Sequence, residues 1–134
     1  MLNSKHNFQV QKCKHSRCKT CPILISLKKE IHLKGKTICF NQNMNCRSKN
    51  VVYVLICRSC DKIYVGETSQ SLHMRMNLHR QHINHEKYSI QKVLKHLKDC
   101  GQEYSVIPIF KSTSTSSYVL VKIEKYSIAA TVSQ

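Results

Sequence analysis

The sequence predicts an α+β fold. A three-stranded, mainly antiparallel sheet, built from an N-terminal β-hairpin plus a third strand, is flanked by helices and preceded by a Cys-rich, zinc-binding arm. Three observations predict it. Two short β-prone runs flank a polar CRSCD turn, two later stretches space their apolar residues as helices do, and five of the eight cysteines fall within the first fifty residues. A chain of 134 residues makes one domain with at most a small appendage, and its sheet can hold only a few strands. We divide it into an arm, residues 1–50, and a domain, residues 51–134.

The arm has weak periodicity but ordered sulfur. Cys13, Cys18 and Cys21 form C-x4-C-x2-C, and Cys39 and Cys46 follow. Two thiolates separated by two residues can grip one tetrahedral zinc, because the intervening turn brings both sulfurs to the same side. Little else in the arm is expected to hold it folded. Composition alone does not choose the remaining ligands. Cys46 can close the set, Cys57 and Cys60 can join Cys18 and Cys21, or His15 or Cys39 can take part. Read as structural residues, Cys39 and Cys100 are small buried hydrophobes.

The domain opens with a strand over Val51–Ile56, a turn at CRSCD and a second strand over Lys62–Val65 that ends at Gly66, whose missing side chain permits close helix–strand packing. A helix capped by Thr68 or Ser69 then carries Leu72, Met76 and His79 at i, i+4 and i+7, with Arg75 and His79 on one face. His79, His82 and His85 follow at three-residue steps. Each step turns a helix by about 300°, so the three do not converge on one ion.

From Ser89 to Cys100, Ile90, Val93, Leu94 and Leu97 mark an amphipathic helix that Gly101 stops, with Lys92, Lys95 and Lys98 on its solvated side. Tyr104–Phe110 reads as a strand. Pro108 lacks the amide that a central ladder position needs, so it belongs at an edge or near an end. A polar KSTSTSS loop leads into YVLVKIEKYSIAATVSQ, whose pattern fits a helix or a strand.

Charge narrows the function. Lys and Arg number 22 against 7 Asp and Glu, and residues 1–50 hold eleven of the bases with a single acid. That balance draws phosphates, so a nucleic-acid partner is expected, with affinity that falls as salt rises. The longest apolar runs are strand-length, well short of the roughly 20 residues of a membrane helix, and no signal peptide is evident. We therefore expect an intracellular, nuclear protein, in which eight cysteines serve metal rather than disulfides. A disulfide-rich secreted protein is the disfavoured alternative.

Tyr53 in VVY, Tyr64 to Gly66 in YVG, and Arg75 with His79 in L-x-x-R-x-x-x-H resemble the GIY-YIG nuclease family in identity and in spacing. Ten residues separate the tyrosines, and the arginine lies nine past Gly66. The YVGET wording and the Cys-rich lead-in are most similar to the module attached to Penelope-like retroelements, over about residues 13–128. RCKTCP with the later Cys46 resembles the cysteine signature of that group, which implies Cys13, Cys18, Cys21 and Cys46 as the zinc ligands, with Cys57 and Cys60 as the alternative pair.

The resemblance also implies a helix in the last segment, with Glu124 holding one catalytic Mg²⁺ or Mn²⁺ against the scissile phosphate. Tyr53, assisted by Tyr64 or His79, would position or deprotonate water, and Arg75 would pair with the phosphate. Ser127 stands where the family has an aromatic residue, and the closing P-x-G-x-N-like tail is missing, so the C-terminus reads as shortened. The implied activity is metal-dependent nicking of DNA by a protein derived from a mobile element, with Arg75, Arg80, Lys62 and Arg58 as DNA contacts. No small-molecule organic cofactor is expected, and the oligomeric state is open. The competing class is a zinc-stabilised nucleic-acid-binding module that no longer cuts.

Overall fold

The computed structural model describes residues 7–60, 62–83, 92–101, 103–112 and 132–133. At its centre lies β5, Val51–Cys57, in which every residue except Ile56 is buried. A strand covered on both faces needs a continuous apolar run, and VVYVLIC supplies one. It pairs antiparallel with β6, Ile63–Thr68, and with β7, Tyr104–Lys111. A short β8, Val132–Ser133, lies parallel to β6, giving the order β7-β5-β6-β8. The described sheet thus has four strands where three are predicted. Val132 and Ser133 occupy the side of β6 away from β5, opposite Val65 and Gly66. The helix expected around Glu124 lies outside the described residues.

Pro108 sits on the edge strand, as its missing amide requires, and the register with β5 shifts beside it. Val52 faces Phe110 whereas Tyr53 faces Pro108, so Ile109 is the extra residue of a bulge. The outer edge of β7 is covered by the arm, where Leu24 bridges Val106 and the Ile25 amide donates to the Val106 carbonyl at 2.9 Å.

The arm carries more structure than its weak periodicity predicts. β1, Gln9–Val10, pairs with β2, Leu27–Lys28, and β3, Glu30–Leu33, forms a hairpin with β4, Lys36–Cys39. Ile31, Leu33 and Ile38 are buried and join Val10, Phe40 and Met44 in an apolar core that continues into the sheet. Alternation over four residues is too short to stand out in a sequence, yet it suffices when a two-residue turn pairs the strands. Lys34 and Gly35, at φ of 50° and 79°, make that turn. Cys39 is exposed on β4 and not a buried hydrophobe; its register opposite Glu30 faces it outward.

Two helices complete the described chain. α1, Leu72–Ile83, begins three residues beyond Ser69. Its first amides are held by the arm: Leu72 donates to the Ser48 carbonyl at 3.0 Å and His73 to the Cys46 carbonyl at 2.7 Å. A helix start leaves such donors without partners inside the helix. Here a segment distant from the cap residues supplies them, so neither Thr68 nor Ser69 is needed as the cap. α2, Lys92–Asp99, buries Leu97 fully, leaves Lys95 and Lys98 exposed, and is ended by Gly101 at φ 96°.

Candidate active site and metal centres

Tyr53, Arg75 and His79 meet at one hydroxyl. Arg75 Nε donates to Tyr53 Oη at 3.3 Å, and Tyr53 Oη lies 3.2 Å from His79 Nε2. Helical spacing puts Arg75 and His79 one turn apart on the face of α1 that covers the sheet. Burial is the chief cause that pushes His79 down to about 3, with Arg75, His82 and Arg80 adding to it. The imidazole is therefore neutral at ordinary pH, and its Nε2 can accept a hydrogen bond from the tyrosine hydroxyl. Arg75 Nη2 is buried and has no partner among the described residues.

Gly66 earns its place in the motif through Tyr53 rather than through helix packing. The two residues are direct cross-strand partners, and a Cβ at position 66 would come within 2.7 Å of the tyrosine ring. The bare backbone lets the ring lie across the neighbouring strand and reach α1. Tyr64, two residues earlier on the same face, packs instead on His96 of α2, with ring centroids 5.4 Å apart. Burial first, and then the thiols of Cys60, Cys57 and Cys100, push the Tyr64 hydroxyl upward, so it keeps its proton. Of the two helpers expected for Tyr53, His79 is the one on its hydroxyl.

Two clusters can hold a metal such as zinc. In the first, Cys13, Cys18, Cys21 and Cys46 bring their sulfurs within 4.8 Å of one another. Cys21 stands 3.6 Å from both Cys13 and Cys46, close to the roughly 3.8 Å edge of a tetrahedron of thiolates about 2.3 Å from zinc. In the second, Cys57 and Cys60 from the β5–β6 turn gather with His96 and Cys100, which lie one turn apart on α2 and its end. Cys60 Sγ is 3.2 Å from His96 Nε2. Cys57 and Cys60 thus do not join Cys18 and Cys21. Nor is Cys100 a buried hydrophobe: it is half-exposed and faces ligand-type neighbours.

The protonation of each cluster argues for a cation. Cys13 falls to about 6 and Cys57 to about 7; burial opposes both shifts, and the His15 and Ser59 backbone amides lead the contacts that lower them. Burial, the largest cause, drives Cys46 upward, and the hydrogen bond with Cys57 raises Cys100 to about 11. Crowded thiols cannot all ionise together, whereas a bound metal removes that conflict.

The remaining expected residues are dispersed. Arg80 follows Arg75 on α1, but Arg58 and Lys62 lie on the β5–β6 turn, five residues or about 16 Å of strand beyond Tyr53 in the case of Arg58. They do not gather at the Tyr53 hydroxyl. Glu124 and His85 fall outside the described residues. His96 and Cys100 were missed, although H-x3-C at helical spacing, read together with the C-x2-C at the turn, carries the signal. No described helix is long and apolar enough to cross a membrane.

Residues 49–133 match the model of the GIY-YIG catalytic domain. No curated protein and no solved structure matches the chain.

Proposed function

Since the chain belongs to the GIY-YIG catalytic-domain family, which implies nuclease activity and a DNA substrate, we propose that it is an endonuclease that nicks DNA, with Tyr53, Arg75 and His79 at its reacting centre. One observation carries this reading. Arg75 holds the Tyr53 hydroxyl through Nε while its buried Nη2 has no partner among the described residues, so the guanidinium fixes the phenol and keeps a donor that a phosphate oxygen would satisfy once the groups over it give way.

In this mechanism Arg75 neutralises charge that grows on the phosphate in the transition state, where a donor matters most. Tyr53 orients or deprotonates the attacking water, and neutral His79 accepts the phenol's hydrogen bond at Nε2, which fixes where the oxygen points; at about 3 it is too weak a base to take the proton itself. Arg75 lowers the cost of a phenolate by standing beside it. Tyr64 keeps its hydroxyl protonated and shapes the site by packing. A divalent cation, Mg²⁺ or Mn²⁺, would supply Lewis-acid stabilisation when bound. Glu124, assigned to it by the family motif, lies outside the described residues, so none of these steps runs through that metal.

Structural Zn²⁺ at each of the two clusters belongs to the same reading, supported by the donor sets and by the thiol spacing of the first. Descent from a Penelope-like mobile element is supported by the YVGET wording and the cysteine-rich lead-in.

Nicking of supercoiled plasmid in Mg²⁺ or Mn²⁺ tests the proposal. Arg75→Ala is expected to raise the barrier by about 2–4 kcal/mol, which abolishes detectable cutting, and Tyr53→Phe to cut far more slowly and to lose about 1–3 kcal/mol of stability, because Arg75 Nε and His79 Nε2 lose their buried partner. Folded wild type that binds DNA yet never nicks under either metal would overturn the enzyme reading in favour of a binding module.

A further inference from the structure

A cleft of about 630 Å³ opens between the first cysteine cluster and α1, lined by His15, Arg17, Lys19, Arg47, His73 and Arg80, with Asn77 and Gln81 among the other walls. Four of these side chains are permanent cations, two are histidines, and no acid lines the cleft. On α1, His73, Asn77, Arg80 and Gln81 follow at i, i+4, i+7 and i+8, a single helix face. It is a different face from that of Arg75. Arg80 lies about 7.5 Å further along the axis than Arg75 and about 140° around it. The opposite wall is the loop from Cys13 to Cys21, where Arg17 and Lys19 flank Cys18 and are exposed.

We propose that this cleft is a second phosphate-binding site, which holds the DNA backbone a few nucleotides away from the bond that Arg75 addresses. The proposal rests on the nuclease reading for what the chain does with the DNA, and on the cleft alone for where the strand lies. Cations without acids attract a polyanion, and the geometry of the groups decides which one is held. A cleft of this volume, with Arg17 on one wall, Arg80 on the other and the Asn77 and Gln81 amides beside Arg80, fits a run of phosphodiesters better than a single ion. The catalytic helix forms one of its walls, and because Arg75 lies on another face of that helix, a strand seated there must curve around α1 to reach it.

The construction also gives the first cluster a task beyond holding the arm together. Cys18 sits between Arg17 and Lys19, and Cys46 precedes Arg47, so three of the four permanent cations are chain neighbours of proposed metal ligands. A filled cluster fixes their spacing. An empty one leaves the same charges on the chain without the groove.

The test measures binding of a fluorescein-labelled 20-base-pair DNA duplex by the full-length, metal-loaded protein as salt is varied, without added Mg²⁺ or Mn²⁺. Arg17→Gln with Lys19→Gln is compared with Lys28→Gln plus Lys36→Gln, an equal loss of charge at exposed arm positions away from the cleft. The cleft pair should weaken binding about tenfold near 0.1 M salt and flatten the plot of log K against log salt by about 1.8, as two lost phosphate contacts require. The control pair should change both far less. Equal effects of the two pairs would overturn the proposal, because the arm would then act as diffuse charge. Polyglutamate that displaces the duplex as well as unlabelled DNA of equal charge would overturn it too. Plasmid nicking in Mg²⁺, run in parallel, separates the two ideas: a wild type that never nicks but shows the cleft-specific loss sinks the nuclease reading and leaves the cleft standing.

Discussion

The first cysteine cluster draws its four thiols from loops and one short 3₁₀ turn of the arm, whereas the second draws one from the end of β5, one from the turn that follows and two ligands from the last turn and end of α2. Both reach the proposed catalytic face, by different routes. Cys46 is fully buried and lies in the apolar core, and its carbonyl holds the His73 amide at the start of α1, the helix that bears Arg75 and His79. The second cluster acts through a ring: His96, a ligand candidate, packs on Tyr64. Cys60 is exposed. The difference teaches that one cluster is part of the core, which must form for α1 to be placed, while the other is a clip at the far end of the sheet.

The largest expected effect separates them directly. Cys46→Ser should remove one of the two zinc ions proposed per chain and lower stability by about 4 kcal/mol or more, because it puts a hydroxyl in the apolar core and loosens the segment whose carbonyl holds α1. Metal content by atomic emission and thermal unfolding read both quantities. Cys100→Ser should remove the other ion at a cost of about 2 kcal/mol, since its surroundings are half exposed. If Cys100→Ser proved the more destabilising, the roles of core and clip would be reversed.

A finer test isolates the ring. His96→Cys keeps four ligand atoms at the second cluster but deletes the contact with Tyr64, so zinc should stay bound while nicking slows and stability drops by about 1 kcal/mol. His96→Ala should lose both metal and contact. Equal nicking by wild type and His96→Cys would show that the clip does not steer Tyr64.

The smallest effect belongs to neither cluster. His79 is neutral in the fold, with its value lowered from 6.5 to about 3, so the unfolded chain binds the extra proton as pH falls below 6.5. Stability is then lost on acidification, by about 1 kcal/mol between pH 6.5 and 5.5. Subtracting the same titration of His79→Gln cancels any release of metal. A difference of zero would mean that His79 is not held neutral.

These regions also differ in how far the sequence revealed them. The β5–β6 hairpin, the Arg75/His79 face and the edge position of Pro108 are legible because each depends on local spacing or on one missing amide. The C-x2-C pairs are visible too. Their partners are not, since whether Cys57 and Cys60 turn toward Cys18 or toward His96 depends on where α2 docks. The arm's strands are too short to show a period. The cap of α1 was misread because its acceptors lie more than twenty residues upstream, on carbonyls whose positions no side-chain pattern encodes.

The fit of Tyr53 over Gly66 has a consequence for how the hairpin finds its alignment. A slip of one residue would move every side chain of β6 to the other face of the sheet and take Tyr64 off His96. A slip of two keeps the faces. In that case Tyr64 or Thr68 would stand opposite Tyr53, where even a Cβ would strike the ring. The single bare position therefore works as a key that only one pairing of the two strands can turn. The residue that makes room for the phenol of Tyr53 is also the one that tells the strands where to stop.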